Sequence, residues 1–164
     1  MKIKGVDLSY CQEGISFPAL KQAGMKFAII RAGFSTKKDV TMDRFVADCK
    51  KYGIEYGFYW YSYAMSVEQA LTEAEKCIEV IKNLSPIYPV FFDMEEKKQI
   101  SGLSTDIRTK MAIAFCEKIR QAGFKPGIYA NPSFMENYYD KSKIVGRYDI
   151  WLAHWTNSPN CPSK

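Results

Sequence analysis

The sequence predicts an α/β fold built of strand–helix units. Apolar and aromatic runs alternate with helical patterns along the chain, the rhythm of strand–helix units. One helix–glycine–strand unit occurs twice, as Lys21-Gln22-Ala23-Gly24-Met25-Lys26-Phe27 and as Arg120-Gln121-Ala122-Gly123-Phe124-Lys125-Pro126. Residues able to do chemistry (Asp7, Tyr63, Asp93, Glu95, Asn131) fall near strand ends, where barrels gather their sites. Such alternation implies parallel pairing and right-handed crossovers, hence a doubly wound sheet or a barrel. At 164 residues the chain has the size of one domain with a real core.

In order, Lys2 to Ser9 reads as a strand, and Phe17 to Gly24 as a short helix ending on glycine. Lys26 to Gly33 is the second strand. Met42 to Tyr52 is helical by its apolar spacing, with Gly53 placed to close it in a left-handed conformation. Tyr56 to Tyr63 is an aromatic strand. Ser66 then caps a helix running to about Leu84, with Glu68 and Gln69 supporting its first turn. Tyr88 to Glu95 is the fourth strand. Ser104 to Gly123 is a helix, Lys125 to Ala130 a strand, and Tyr148 to Trp155 the sixth.

The fourth strand carries the most information. Its Val90-Phe91-Phe92 run has no polar alternation, as in a strand covered on both faces. It runs into Asp93 and Glu95, which by period two share a face, with Cα atoms roughly 6.5–7 Å apart. Paired carboxylates acting on a glycosidic bond stand about 5 to 9.5 Å apart. The apolar approach offers a partly dry setting that raises a carboxyl pKa. Taken alone, the pair reads more readily as the start of a solvated loop, since Glu96, Lys97 and Lys98 follow.

Composition excludes other classes. The net charge of +5 comes from Lys and Arg spread along the chain, with no basic block or stripe for nucleic acid. A diffuse positive field suits a polyanionic envelope or plain solubility. No run approaches the roughly 20 apolar residues that cross a bilayer, so membrane insertion is not expected. The N-terminus lacks the apolar segment of a signal peptide; either the protein is made without one, or a leader has been removed. The five cysteines are far apart with no C-x-x-C, so neither zinc spacing nor a closed disulfide framework is expected. Cys49, Cys77 and Cys116 read as small buried hydrophobes. Ten Phe, eleven Tyr and three Trp exceed what a core of this size calls for, and tyrosines at strand ends suit stacking on sugar rings.

Gly5-Val6-Asp7-Leu8-Ser9, Gly57-Phe58-Tyr59-Trp60-Tyr61, Asp93-Met94-Glu95 and Trp151-Leu152-Ala153 follow one another along the chain. In this order and spacing the chain resembles, across nearly its whole length, glycoside hydrolase family 25, the Chalaropsis-type lysozymes. Gly5-Val6-Asp7-Leu8-Ser9 is similar to the family's G-x-D-x-S opening, and Phe27-Ala28-Ile29-Ile30-Arg31-Ala32 to its second strand. Gly57-Phe58-Tyr59-Trp60-Tyr61 resembles its third. Asp93-Met94-Glu95 matches its D-x-E signature, and Ile128-Tyr129-Ala130 and Trp151-Leu152-Ala153 its later strands. The resemblance implies an α/β fold of the TIM-barrel-like, irregular (β/α) barrel kind. It also implies one catalytic domain over residues 1–164 that cuts the β-1,4 bond between N-acetylmuramic acid and N-acetylglucosamine in peptidoglycan glycan strands. It implies Glu95 as general acid and Asp93 and Asp7 as partner carboxylates, with a like-charged Asp93 helping to raise Glu95. The family's chemistry uses carboxylates, with no cofactor and no metal.

Tyr59 and Tyr61 share a face and either line the groove or fill the core. Tyr129, Asn131 and Trp151 are further candidates to bind substrate, against turn formation for Asn131 and packing for Trp151. Arg31 orients a carboxylate or reaches to solvent. His154, the single histidine, reads as structural. The resemblance also implies closing strands and a further acidic residue beyond Lys164, so the barrel is expected to be open. A phage endolysin or a bacterial autolysin acting on the cell wall fits these features. The alternative is a non-catalytic peptidoglycan-binding barrel.

Overall fold

The computed structural model describes residues 2–153. Among them, β1 (Gly5–Leu8), β2 (Phe27–Phe34), β4 (Glu55–Tyr61), β5 (Val90–Asp93), β6 (Pro126–Ala130) and β7 (Asp149–Leu152) lie side by side in that order, all parallel. The two-residue β3 (Lys37–Lys38) folds back antiparallel on β2. Helices α1 (Phe17–Gln22), α2 (Met42–Tyr52), α3 (Val67–Ile81), α4 (Lys97–Gly102), α5 (Thr105–Gln121), α6 (Pro132–Asn137) and α7 (Lys141–Ile144) fill the connections. The sheet curls into a half-barrel. Within the described residues β1 and β7 each pair on one side only, so the barrel is open.

Strand alternation divides the apolar residues into two cores. Ala28, Ile30, Phe58, Trp60, Val90, Phe92 and Ile128 face outward under the helices, with Cys49, Cys77 and Cys116 buried among them. Ile29, Tyr59 and Phe91 point inward and form a separate cluster against Phe27, Tyr88 and Trp151. Glycines make room for that inner floor. A Cβ on Gly127 would sit 2.4 Å from Phe91 Cδ1, and one on Gly5 2.2 Å from Phe27 Cζ. Rings therefore lie flat across neighbouring strands, as where Phe27 stacks on Tyr88 at 4.4 Å.

The repeated helix–glycine–strand unit is one conformation used twice. Gly24 and Gly123 take φ of 81° and 87°. In each copy the glycine N–H bonds the carbonyl three residues back, and the next N–H reaches back five, Met25 to Leu20 and Phe124 to Ile119. Gly53 closes α2 at φ 61° as its position suggested.

The structure adds short elements and trims others. β4 stops at Tyr61, so Tyr63 stands on the following loop. β5 ends at Asp93, and Glu95 lies beyond it. β3, α4, α6 and α7 have no counterpart in the sequence expectation. α4 replaces the solvated loop considered after Glu95, and Glu96 begins it with a capping box to Gln99. His154 and Trp155, assigned above to the last strand, lie outside the described residues.

Candidate active site

The cleft lies over the carboxyl ends of the strands. Register brings Tyr61, Asp93, Tyr129 and Trp151 into one row across β4, β5, β6 and β7. One step below, Arg31 on β2 pairs with Tyr59 on β4. The register slips between Arg31 and Gly33. Such a bulge re-aims side chains, and here the Arg31 guanidinium lies 5.2 Å from the Phe34 ring. Asp7 arrives from β1 and Glu95 from just past β5. Together these residues and Ala153 line one cavity of about 400 Å³. Asp7, Asp93, Glu95, Tyr59, Tyr61, Tyr129 and Trp151 are thus brought together. Asn131 is not: its side-chain oxygen accepts the Phe134 N–H at 2.8 Å and caps α6, the turn-forming role weighed for it.

The carboxyls differ in setting. Asp93 is buried, and its Oδ1 has no hydrogen-bond partner. Burial pushes its pKa well above the ordinary range; Glu95 and Asp7 push the same way and Arg31 opposes. Glu95 is exposed at the cleft, and its pKa is raised by partial desolvation and then by Glu96. The two carboxyls are coupled: the Glu95 charge pushes the buried Asp93 up, and the Glu96 charge adds to desolvation at Glu95.

The tyrosines wall the cleft. The Tyr61 hydroxyl donates to Glu96 Oε1 at 2.8 Å. Burial, with the charges of Glu95, Asp93 and Asp7, pushes the Tyr129 phenol up to about 12. Trp151 packs edge-on against Tyr129, Phe91 and Tyr59, with ring centroids 4.8, 5.6 and 5.8 Å away. It is both packed and at the cavity surface, which joins the two roles considered for it.

Several supporting residues escaped the sequence reading. Asp39 accepts from Arg31 Nε at 2.7 Å, Thr41 N at 2.8 Å, Thr41 Oγ1 at 2.7 Å and Tyr10 N at 3.3 Å. Burial alone would raise its pKa, but the Thr41 bonds and Arg31 hold it low. Arg31 is thereby fixed beneath the Tyr10 ring at 4.7 Å. Gln99 is buried and donates to the Ser62 and Ala64 carbonyls at 3.1 and 2.9 Å. It ties α4 to the loop after β4.

Glu73 of α3 braces the same loop, its Oε1 accepting the Tyr63 N–H at 2.9 Å. Burial lifts its pKa from 4.5 to about 7, against hydrogen bonds from Ser62, Tyr63 and Ala64. A carboxyl raised in the folded state stabilises the fold below its unfolded value and loses that contribution as pH climbs through the folded value. Stability should therefore fall between pH 4.5 and about 7. Glu73→Gln is expected to flatten this slope and to gain on the order of 2–3 kcal/mol above it. Denaturation curves across that range measure the effect; an unchanged slope would clear Glu73 as its source.

Fold and site define an α/β half-barrel with an acidic, aromatic-walled cleft over the carboxyl ends of its strands. The chain belongs to the glycosyl hydrolases family 25, whose family model matches residues 6–164. It is 25% identical over 162 residues to the autolytic lysozyme of Clostridium acetobutylicum, covering 96% of this chain and 47% of that protein. The probable GH family 25 lysozyme 2 of Dictyostelium discoideum is 27% identical over 164 residues, covering 96% and 74%. Among solved structures, the modular autolysin LytC from Streptococcus pneumoniae, in complex with a synthetic peptidoglycan ligand, superposes with a TM-score of 0.85. That match is 24% identical and covers 98% of this chain and 40% of LytC, a likeness of fold. The chain spans less than half the length of the Clostridium and Streptococcus proteins.

Proposed function

We propose that residues 1–164 form a lysozyme-like catalytic domain that hydrolyses the β-1,4 bond between N-acetylmuramic acid and N-acetylglucosamine in peptidoglycan. The carrying observation is the convergence of Asp7, Asp93 and Glu95, from β1 and the end of β5, in one cleft. Glu95 is the general acid: it is exposed to a ligand and its raised pKa keeps the proton available. It protonates the glycosidic oxygen as the bond to the anomeric carbon breaks; water then supplies the hydroxyl to that carbon, and its remaining proton returns to a carboxylate of the cleft. Asp93 and Asp7 face the sugar whose ring gains positive charge. Tyr59, Tyr61, Tyr129 and Trp151 supply ring faces and hydroxyls to hold it. The lysozyme and autolysin names of the relatives, and the peptidoglycan ligand of the LytC complex, support this substrate. The site of action is the bacterial cell wall.

The test is reducing-end release from purified Gram-positive walls, with identification of the new end. Release of N-acetylmuramic acid at reducing ends is the expected result. No release, with the protein still pulled down by walls, would replace this function with a peptidoglycan-binding barrel.

A further inference from the structure

A second cavity, of about 340 Å³, opens beside the cleft between the β2–β3 turn, the loop after β4 and the first turns of α3. Its size is that of a small-ligand site, about 300 Å³ and upward. Ser35, Thr36, Tyr63, Gln69 and Thr72 line it, with Glu73 at its inner wall. Tyr63 is 48% exposed, and its ring centroid lies 5.3 Å from that of Tyr61, which lines the cleft. The two cavities therefore adjoin across one pair of aromatic rings.

The exposed groups of the lining are uncharged, and its one carboxyl is buried. Ser35 and Thr36 bring hydroxyls. Thr72 Oγ1 donates to the Glu68 carbonyl at 3.0 Å, which leaves its lone pairs for an incoming donor. Gln69 spends its oxygen on the Met65 N–H at 2.7 Å and keeps its amide nitrogen. Glu73 is the single ionisable carboxyl of the wall, and it is buried with one oxygen bound to the Tyr63 backbone. The turn is set for this purpose at a conformational cost. Ser35 is the one non-glycine residue among those described with positive φ, at 50°. It is pinned there by its N–H to the Tyr61 carbonyl and by Trp60 Nε1 to its own carbonyl, each 3.1 Å. Strain held in place by surrounding bonds marks sites that bind.

We propose that this cavity is an accessory subsite for one further sugar of the same glycan strand, stacked on Tyr63 and hydrogen-bonded by Thr36, Gln69 and Thr72. The assignment rests on the peptidoglycan reading above. A pyranose offers hydroxyls and an acetamide with no net charge, which suits this lining. Stem peptides carry free carboxylates and amines, for which the wall has no exposed countercharge.

The test is binding and cleavage of stem-free peptidoglycan glycan fragments of increasing length, alongside the same fragments with stem peptides. Titrations use the Glu95→Gln background so that fragments stay intact. The Tyr63→Ala change is expected to weaken binding of the longest fragments about tenfold and to leave the shortest within a factor of two. Thr36→Val should show the same length dependence with a smaller loss. Equal losses at every length, no loss at any length, or a loss confined to stem-bearing fragments would each overturn the subsite. Binding is read without turnover, so absence of cleavage by the parent would sink the hydrolase reading while this inference still receives its answer.

Discussion

Glu95→Gln should lower kcat for glycan cleavage by roughly 10²–10⁴-fold, the usual contribution of a positioned general acid, with KM little changed. Glutamine keeps the shape and the hydrogen-bonding oxygen of the residue but has no proton to release. Glu95 is exposed, so the fold should lose no more than about 0.5 kcal/mol. The pH profile sharpens the test. Activity needs Glu95 protonated, and its pKa lies above the ordinary carboxylate value because of partial burial and Glu96. The parent should lose activity as pH rises through that value. Glu96→Gln removes the second cause and should move the alkaline limb to lower pH, while Tyr61 keeps an oxygen to donate to. Reducing-end release measured across pH with the three proteins checks both statements. Equal release by the parent and Glu95→Gln would sink the assignment of the acid.

Arg108→Ala should destabilise the protein by about 3–5 kcal/mol, at the upper end of single substitutions. Arg108 of α5 is 4% exposed, and no carboxylate among the described residues pairs with it. Its guanidinium instead gathers backbone carbonyls. Nη1 donates to Gln99 at 3.2 Å, to Ile100 at 3.0 Å and to Leu103; Nε donates to Tyr138 at 3.0 Å. The first three are carbonyls at the C-terminal end of α4, where helices leave acceptors unsatisfied. Alanine would strand those acceptors in a buried setting, and each orphan costs about 1–3 kcal/mol. The loss should also reach the chemistry, because α4 begins at the segment that carries Glu95 and Glu96. Lysine should restore only part of the stability, since an ammonium cannot span donors spread across the guanidinium fork. Urea denaturation of the three proteins measures this; a loss below about 1 kcal/mol for Arg108→Ala would show that water replaces the clamp.

The parts legible in the sequence are those governed by local rules. The Ile, Val and Phe runs of β2 and β5 and the aromatic run of β4 announce buried parallel strands because both faces are apolar. Gly24, Gly53 and Gly123 announce helix ends because only a residue without a side chain enters the left-handed region freely. The short helices α4, α6 and α7 were not legible. Pieces of four to six residues have no intrinsic stability, and here they stand on caps and distant contacts such as Arg108 and Gln99. Asn131 carried a readable local signal, an Asn before Pro, and it acts locally as a helix cap.

The supporting residues were hidden for a different reason. Arg108, Glu73 and Gln99 sit in helical stretches where polar residues normally face water. Each is buried because a neighbouring loop lies over it and offers backbone groups to bond. No spacing rule reveals that. Asp39 likewise lies beyond a strand end and reads as a turn residue, yet it is the anchor that fixes Arg31.

By itself, then, the sequence determined the order of the main strands and longer helices, the family, and the placing of Asp93 at the end of a buried strand with Glu95 just past it. Those follow from side-chain periodicity and local backbone preference, which act over a few residues. Only the tertiary structure decided that Asp7 shares the cleft with them, that Asp93 is buried while Glu95 is open to the cleft, and that Asn131 stands apart. Convergence depends on how strands register across the curled sheet, and ionisation depends on burial and on charges close in space but remote along the chain.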